Sequence, residues 1–382
     1  MEFITQLTGF GGSAVGYILP FVFVLSIVVF FHELGHFLVG RWCGVRVLVF
    51  SIGFGPELFA FHDRYGTRWR FALVPLGGYV KFFGDANAAS VPDAEKAKMM
   101  SADERSVSFF HKPVLQRAAI VVAGPLANFL LAIVIFAGVF AVVGKQTIAP
   151  RVDTVNAGSA AEKAGMQPGD VIVAIDGSPI SSFSAMQRVI STSPGRPVTM
   201  EIDRGGTRMT ITAIPDMREQ ADGFGGTMRI GLLGVTRSTK PEDVTYVRAD
   251  PISAVGMGVS ETVYIVERTF AFFGGLIAGK EHANQIGGPI RIAQMSEHVA
   301  ESGGLVGLIS LAAVLSVSIG LLNLFPIPLL DGGHLVFYAV EAIRGRPLAE
   351  RAQEMLFRAG LALVVMLMVF ATWNDLVHVL GG

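Results

Sequence analysis

The sequence predicts a membrane protein in which four α-helices cross a bilayer and a β-rich segment lies outside it. Three observations carry this reading. Of 382 residues, 51% are hydrophobic and only 16% charged, whereas an average soluble domain is about one quarter charged. Four stretches reach the roughly 20 apolar residues that a spanning helix needs, and Lys and Arg are distributed asymmetrically between the loops that join them. The formal net charge of -1 gives no basic patch of the kind nucleic acid demands. The single cysteine, Cys43, excludes an intrachain disulfide.

The first span occupies residues 1–42. Residues 3–31 carry no charge, and the most apolar part runs on into His32-Glu33-Leu34-Gly35-His36 before Arg41. Only Glu2 is charged near its start, and no small-residue cleavage pattern follows, so it reads as a span and not as a signal peptide. Residues 43–112 form a loop, 113–144 a second span bounded by Arg117 and Lys145, and 145–216 a compact β-rich domain. Residues 217–301 follow outside the membrane, 302–332 form a third span, 333–357 a loop and 358–382 a fourth span.

Arg41, Arg46, Lys112 and Arg117 flank the first loop, and Arg344, Arg346, Arg351 and Arg358 the last; no Lys or Arg precedes Arg41 or follows Arg358. The positive-inside rule then makes both loops cytoplasmic and puts both termini and the long β-rich segment outside. Within 252–279 lies a further apolar stretch holding Glu261, Glu267 and Arg268. Three charges near a bilayer centre cost several kcal/mol, so this stretch is expected to lie as an amphipathic helix on the outer surface. A turn over 286–291 is expected to lead a second short helix back to the third span.

His32 and His36 stand four residues apart, on one face of a helix. H-E-x-x-H in that setting places two imidazoles on one zinc ion and Glu33 as general base for the attacking water. Ionisable groups inside a span are costly and mark function. A catalytic zinc wants a third protein ligand and an open position. Asp331 is the first acidic residue at the cytoplasmic end of the third span, the depth at which His32 and His36 lie, in Asn323-Leu324-Phe325-Pro326-Ile327-Pro328-Leu329-Leu330-Asp331-Gly332, where two prolines forbid a regular helix. His334 competes for the third place and reads better as a neighbour of the ligand or a helix start. Cys43 sits about 10 Å further along the first helix and reads as a buried apolar residue. The same acids and histidines would also suit an ion path, which leaves a metal or ion transporter as the alternative function, and a membrane-anchored scaffold with a degenerate metal site as a third.

His32-Glu33-x-x-His36 in the first span, Asn323-x-x-Pro326-x-Pro328-x-Leu330-Asp331-Gly332 in the third and the β-rich insert between spans two and three together resemble the bacterial site-2 proteases of the regulator of sigma-E protease type. The resemblance covers essentially the whole chain. It implies a zinc intramembrane endopeptidase of the bacterial inner membrane, with His32, His36 and Asp331 as ligands and Glu33 as base, the roles that spacing and sidedness already gave. It implies cleavage of single-span substrates, such as anti-sigma factors or leftover signal peptides, after an earlier cut outside the membrane. Asn323 is implied as a substrate-backbone contact, with Pro326 and Pro328 beside it. Gly124-Pro125-Leu126-Ala127-Asn128 is similar to the family's G-x-x-x-N element, which makes Asn128 a further candidate for substrate contact, although small residues in a span also serve close packing.

Two strand-like runs, 47–61 and 69–82, flank a polar turn over 62–67. The resemblance implies a membrane-reentrant β-hairpin here, and Gly77, Gly78 and Tyr79 are expected to present an edge strand to an unwound substrate by strand addition. An ordinary cytoplasmic hairpin is the alternative. Residues 149–215, with Gly158-Ser159-Ala160-Ala161 leading a short helix and Gly169-Asp170-Val171-Ile172 entering a strand, resemble a PDZ domain. It is expected to bind a peptide terminus or to filter substrates by size, with the filter favoured because no basic residue stands in the carboxylate loop. Many relatives carry two such domains in tandem; one is expected here.

Overall fold

The computed structural model describes residues 2–85, 99–221, 227–238, 243–279 and 287–380. The chain divides into two compact units, the first formed by residues 1–137, 255–269 and 282–382 and the second by 138–254 and 270–281.

Among the described residues four helices are long and apolar enough to cross a membrane, over Gly16–Trp42, Val114–Val142, Pro289–Asn323 and Arg351–Val377. They belong to α1 (Glu2–Trp42), α3 (Val114–Val142), α7 (Pro289–Asn323) and α9 (Glu350–Leu380). Between α1 and α3 come β1 (Val47–His62), β2 (Arg68–Phe82) and the short α2 (Ala102–Val107). The two strands match the expected runs within one residue at each end.

Pairing in this hairpin is unusual. β1 and β2 run antiparallel along their whole length, from His62↔Arg68 through Ile52↔Gly78 to Val47↔Phe82. The hairpin is also folded across its middle, so that Val49, Phe50, Ser51 and Ile52 lie beside Arg68, Trp69, Arg70 and Phe71. Residues 49–52 therefore have a neighbour on each side, while Gly78, Tyr79 and Val80 are paired on one side only among the described residues. The bend falls at Gly53 and Gly55, with φ of 88° and 84°, which a residue with a Cβ rarely adopts. Phe50, fully buried, stacks on Trp69 at 4.3 Å, and Phe37 of α1 meets both rings edge-on. This aromatic cluster bolts the hairpin to α1.

Two close approaches show how far the hairpin runs along the helix. A Cβ on Gly40 would lie 2.6 Å from the Phe82 ring, and one on Gly78 would lie 2.9 Å from Val29 Cγ1 and 3.1 Å from Glu33 Cγ. From Gly40 back to Val29 is about 16 Å of helix.

The third and fourth spans depart from their expected limits. α7 begins at Pro289 and is interrupted at Gly304 (φ 56°, ψ -146°), so a short helix does lead into the span; of the turn expected before it, Ile286 lies outside the described residues. The helix stops at Asn323 and not at 332. Pro326 and Pro328 lack the N–H that would continue it, and residues 324–330 form an irregular connection. The expected loop over 333–357 is largely helical: α8 spans Asp331–Arg344, closed by Gly345 with φ 68° and followed by Pro347, and α9 already starts at Glu350. Gly then Pro past a helix end is a stop signal, and it was legible there. Of the first loop, residues 86–98 lie outside the described set.

The second unit contains a four-stranded sheet in the order β6-β5-β7-β8, from β5 (Val171–Ile175), β6 (Ser178–Pro179), β7 (Val198–Arg204) and β8 (Thr207–Ala213). Ile172, Ile175, Met200 and Ile202 fill its core with Met186 and Ile190 from the helix α5 (Phe183–Ser191); α4 is the single turn Ala160–Lys163. The unit does not end at 216. β3 (Lys145–Ile148) pairs with β12 (Val244–Val247), β4 (Val152–Val155) with β11 (Val235–Arg237), and β9 (Asp216–Ala221) with β10 (Thr227–Leu232). Strands about 80 to 100 residues downstream thus return to its first strands. α6 (Pro251–Ile277) follows, capped by Asp250, whose side chain accepts the N–H groups of Ile252 and Ser253.

Candidate metal centre

His32 and His36 project from one face of α1 with their Nε2 atoms 3.2 Å apart. Asp331 Oδ2, from the first turn of α8, lies 3.2 Å from His32 Nε2 and 3.5 Å from His36 Nε2. Zinc bonds of 2.0–2.1 Å in tetrahedral array separate neighbouring ligand atoms by about 3.3 Å. The donor triangle has that size. Asp331 Oδ2 is moreover buried without a hydrogen-bond partner, a costly state for a carboxylate that a cation would relieve. Two imidazoles and one carboxylate are a zinc donor set, so the residues fit one zinc ion. Among the described residues this is the one cluster of His, Cys, Asp and Glu that could hold a metal.

Glycines make the site possible. A Cβ on Gly124 of α3 would stand 2.3 Å from His36 Nε2 and 3.0 Å from His32 Cε1, and a Cβ on Gly35 would stand 2.2 Å from the Ala123 carbonyl. α1 and α3 therefore meet at backbone distance, as small residues allow in a membrane, and the space left at Gly124 is where the imidazoles sit. Around Asp331 the chain is just as tight: Cβ atoms on Gly332 and Gly333 would fall 2.2 and 2.4 Å from the carbonyls of Phe325 and Ile327. Leu329, just before the ligand, has φ 96°, a strained conformation for a branched side chain that costs about 1–3 kcal/mol and is characteristic of functional sites.

Each histidine has a partner at its other nitrogen. His36 Nδ1 lies 2.9 Å from the Ile120 carbonyl, and His32 Nδ1 lies 3.2 Å from the Asn128 carboxamide. Glu33, only 9% exposed, borders the same cavity as Gly78, Tyr79 and Val80. The catalytic candidate and the singly paired part of β2 thus face the same space. That space is a cavity of about 200 Å³ bordered by His32, Glu33, His36, Asp331, Tyr79 and Asn323.

The other expected site residues divide. Gly78, Tyr79 and Asn323 border the cavity. Gly77 packs against the Phe54 ring, Pro326 is exposed, and Pro328 backs onto Gly360 of α9, where a Cβ would meet its carbonyl at 1.9 Å. None of these three borders the cavity. Asn128, expected at the substrate, is 0% exposed, stands behind His32 and does not border the cavity. His334 borders the cavity but stays outside the ligand cluster, its ring 5.3 Å from that of Phe357. Cys43 is half-buried against the Phe37 and Phe50 cluster.

One feature was not foreseen. Arg117 of α3 pairs with Glu341 of α8 at 2.6 Å, both largely buried, and its guanidinium lies over the Tyr338 ring at 4.9 Å. The pair ties the helix that carries Asp331 to the helix that makes room for the imidazoles. Arg117 was legible only as a loop-side cation, because its partner stands 224 residues away.

Residues 20–367 match the family model described as Peptidase family M50. The chain is 48% identical over 381 residues to "Putative zinc metalloprotease Atu1380" of Agrobacterium fabrum, covering 100% of both chains. It is 42% identical to "Metalloprotease MmpA" of Caulobacter vibrioides, covering 93% of this chain and 94% of that one. It is 33% identical to "Regulator of sigma-E protease RseP" of Salmonella typhimurium, covering 93% and 97%. These similarities displace the transporter and scaffold alternatives. With its donor triangle sized for zinc and a family match over nearly its whole length, the chain belongs to peptidase family M50, the site-2 proteases, and is a zinc metallopeptidase.

Proposed function

We propose that the protein is an intramembrane endopeptidase that cuts within or beside the transmembrane segment of a single-span substrate already trimmed outside the membrane. The observation that carries this reading is the shared cavity: Glu33, the donor triangle and the singly paired strand 78–80 all border it.

Bound zinc supplies a Lewis acid that polarises the scissile carbonyl and acidifies water. His32, His36 and Asp331 hold it; Glu33 takes a proton from the attacking water and returns it to the leaving amine. A spanning helix hides its carbonyls in internal hydrogen bonds, so a substrate must unwind, and its freed groups need partners. Gly78, Tyr79 and Val80 offer them by strand addition, and Asn323 borders the same cavity. The approach of Gly78 to Val29 and Glu33, about 16 Å back along α1 from Gly40, supports a hairpin that re-enters the membrane. So does the exposure of Phe54, Leu58, Phe59 and Leu73 on it.

Sidedness follows from the Lys and Arg pattern: the metal lies toward the cytoplasmic face of a bacterial inner membrane, and both termini and the β unit lie outside. The β unit acts as a PDZ-type size filter, and α6 lies on the outer surface. The Salmonella relative is named a regulator of sigma-E protease; the substrate class is membrane-bound anti-sigma factors, with remnant signal peptides as a second pool. Glu33→Gln, tested on a single-span substrate, should keep its zinc and lose cleavage by about 10²–10⁴-fold; persistent cleavage would refute the role of Glu33.

A further inference from the structure

We propose that Asn128 is a positioning residue of the metal site: its carboxamide oxygen accepts the Nδ1–H of His32 and fixes the tautomer that turns Nε2 to the metal. The inference rests on the reading of His32 as a zinc ligand.

A neutral imidazole that gives the Nε2 lone pair to a metal carries its proton on Nδ1, where it can only donate. Metal-binding histidines generally spend that proton on a carbonyl or carboxylate, which sets ring orientation and raises ligand basicity. His36 does so with the Ile120 carbonyl, 2.9 Å away. At His32 the polar group in reach is the Asn128 carboxamide, whose Nδ2 lies 3.2 Å from Nδ1. Two donors cannot bond. Half a turn of the amide exchanges Nδ2 for Oδ1 in nearly the same volume. Oδ1 gives up nothing in that turn, for it is buried without a hydrogen-bond partner on a residue that is 0% exposed.

The backbone of Asn128 is fixed independently. Its carbonyl accepts the Ser316 hydroxyl of α7 at 2.9 Å, and a Cβ on Gly320 of the same helix would meet its Cβ at 3.1 Å. Gly124, one turn earlier on the same face of α3, clears the volume the rings occupy. The G-x-x-x-N element therefore divides its labour, with the glycine providing space and the asparagine an acceptor.

The test uses the full-length protein in detergent, stripped of zinc and titrated back against a competing chromophoric chelator, with the melting transition of each zinc-free variant as a folding control. Asn128→Leu, similar in shape but lacking an acceptor, should bind zinc about 10–100-fold more weakly. Asn128→Asp keeps an acceptor and should bind at least as tightly as the parent. A purely packing role predicts the reverse order, because leucine suits a buried site and a new carboxylate does not. Parental affinity in Asn128→Leu, or weaker binding in Asn128→Asp than in Asn128→Leu, overturns the proposal. Should Asn128→Leu fail to fold, Asn128→Asp decides alone: tight binding supports the acceptor role, and weak binding or misfolding overturns it. His32→Ala is the separate control, since undiminished zinc binding there would remove His32 itself from the ligand set.

Discussion

Asp170 of the β unit and Asp331 of the metal centre both hold carboxylate oxygens away from solvent, and the two are treated in opposite ways. Asp170, at the entry to β5, is 0% exposed, yet its carboxylate is satisfied: Arg204 Nε and Nη2 donate to its two oxygens at 2.8 Å each, and the Gln167 N–H adds a third bond at 2.9 Å. Asp331 has imidazoles near it and an oxygen with no hydrogen-bond partner. A buried charge is costly unless paired. The carboxylate is satisfied within the β unit and left open at the metal centre, as a fastener at Asp170 and the ligand proposed at Asp331 require.

The same substitution should separate them. Asp331→Asn is expected to weaken zinc binding by at least about 100-fold, more than the loss of a group that only supports a ligand, while the melting temperature of the zinc-free protein stays level or rises. Asp170→Asn should leave zinc content intact and lower the melting of the β unit by about 5 °C. Zinc titration and scanning calorimetry on both variants check this; equal loss of stability in the two would erase the distinction.

The proposed substrate edge gives the next effect in size. Leu76→Pro and Val80→Pro should each reduce proteolysis at least about tenfold with zinc content unchanged, by removing a strand N–H. The loss should be larger at Val80, which borders the cavity with Glu33. Unchanged cleavage of a single-span substrate by both variants would sink strand addition.

The smallest effect is in pH. Burial pushes the Asp170 carboxyl up, but the hydrogen bonds from Arg204 and Gln167 and the Arg204 charge outweigh it and hold the group below its ordinary value. Its stabilisation is therefore complete above the usual carboxylate range near pH 4 and is lost as pH falls toward the lower folded value. Melting of the β unit should decline between about pH 5 and 3, and Arg204→Met should flatten that decline.

Local periodicity made much of this molecule legible. The four apolar runs, the strands 47–61 and 69–82 and the i, i+4 histidines all encode their structure within one or two turns of chain. Asp331 needed no helical pattern to be expected at the site, because the positive-inside rule applied to Lys and Arg sets it at the depth of His36. What stayed hidden depends on distant partners. The fold across the hairpin sets 49–52 beside 68–71, β11 and β12 return to β4 and β3, and Arg117 waits for Glu341; nothing in the neighbouring residues announces such pairings. Asn128 was visible as part of a small-residue element, but its proximity to His32, 96 residues away, was not.

The singly paired strand over residues 78–82 also works as a gauge. A substrate segment drawn out beside five strand residues spans about 17 Å, whereas the same five residues coiled as helix spanned about 7.5 Å. On the proposed strand addition, each docking event would lengthen the substrate by about 9.5 Å, slack that the rest of its span would take up by sliding or tilting in the bilayer. A substrate tethered at both ends to rigid bulk would have nowhere to put it, so the proposed prior cut would serve a mechanical purpose as well as a regulatory one.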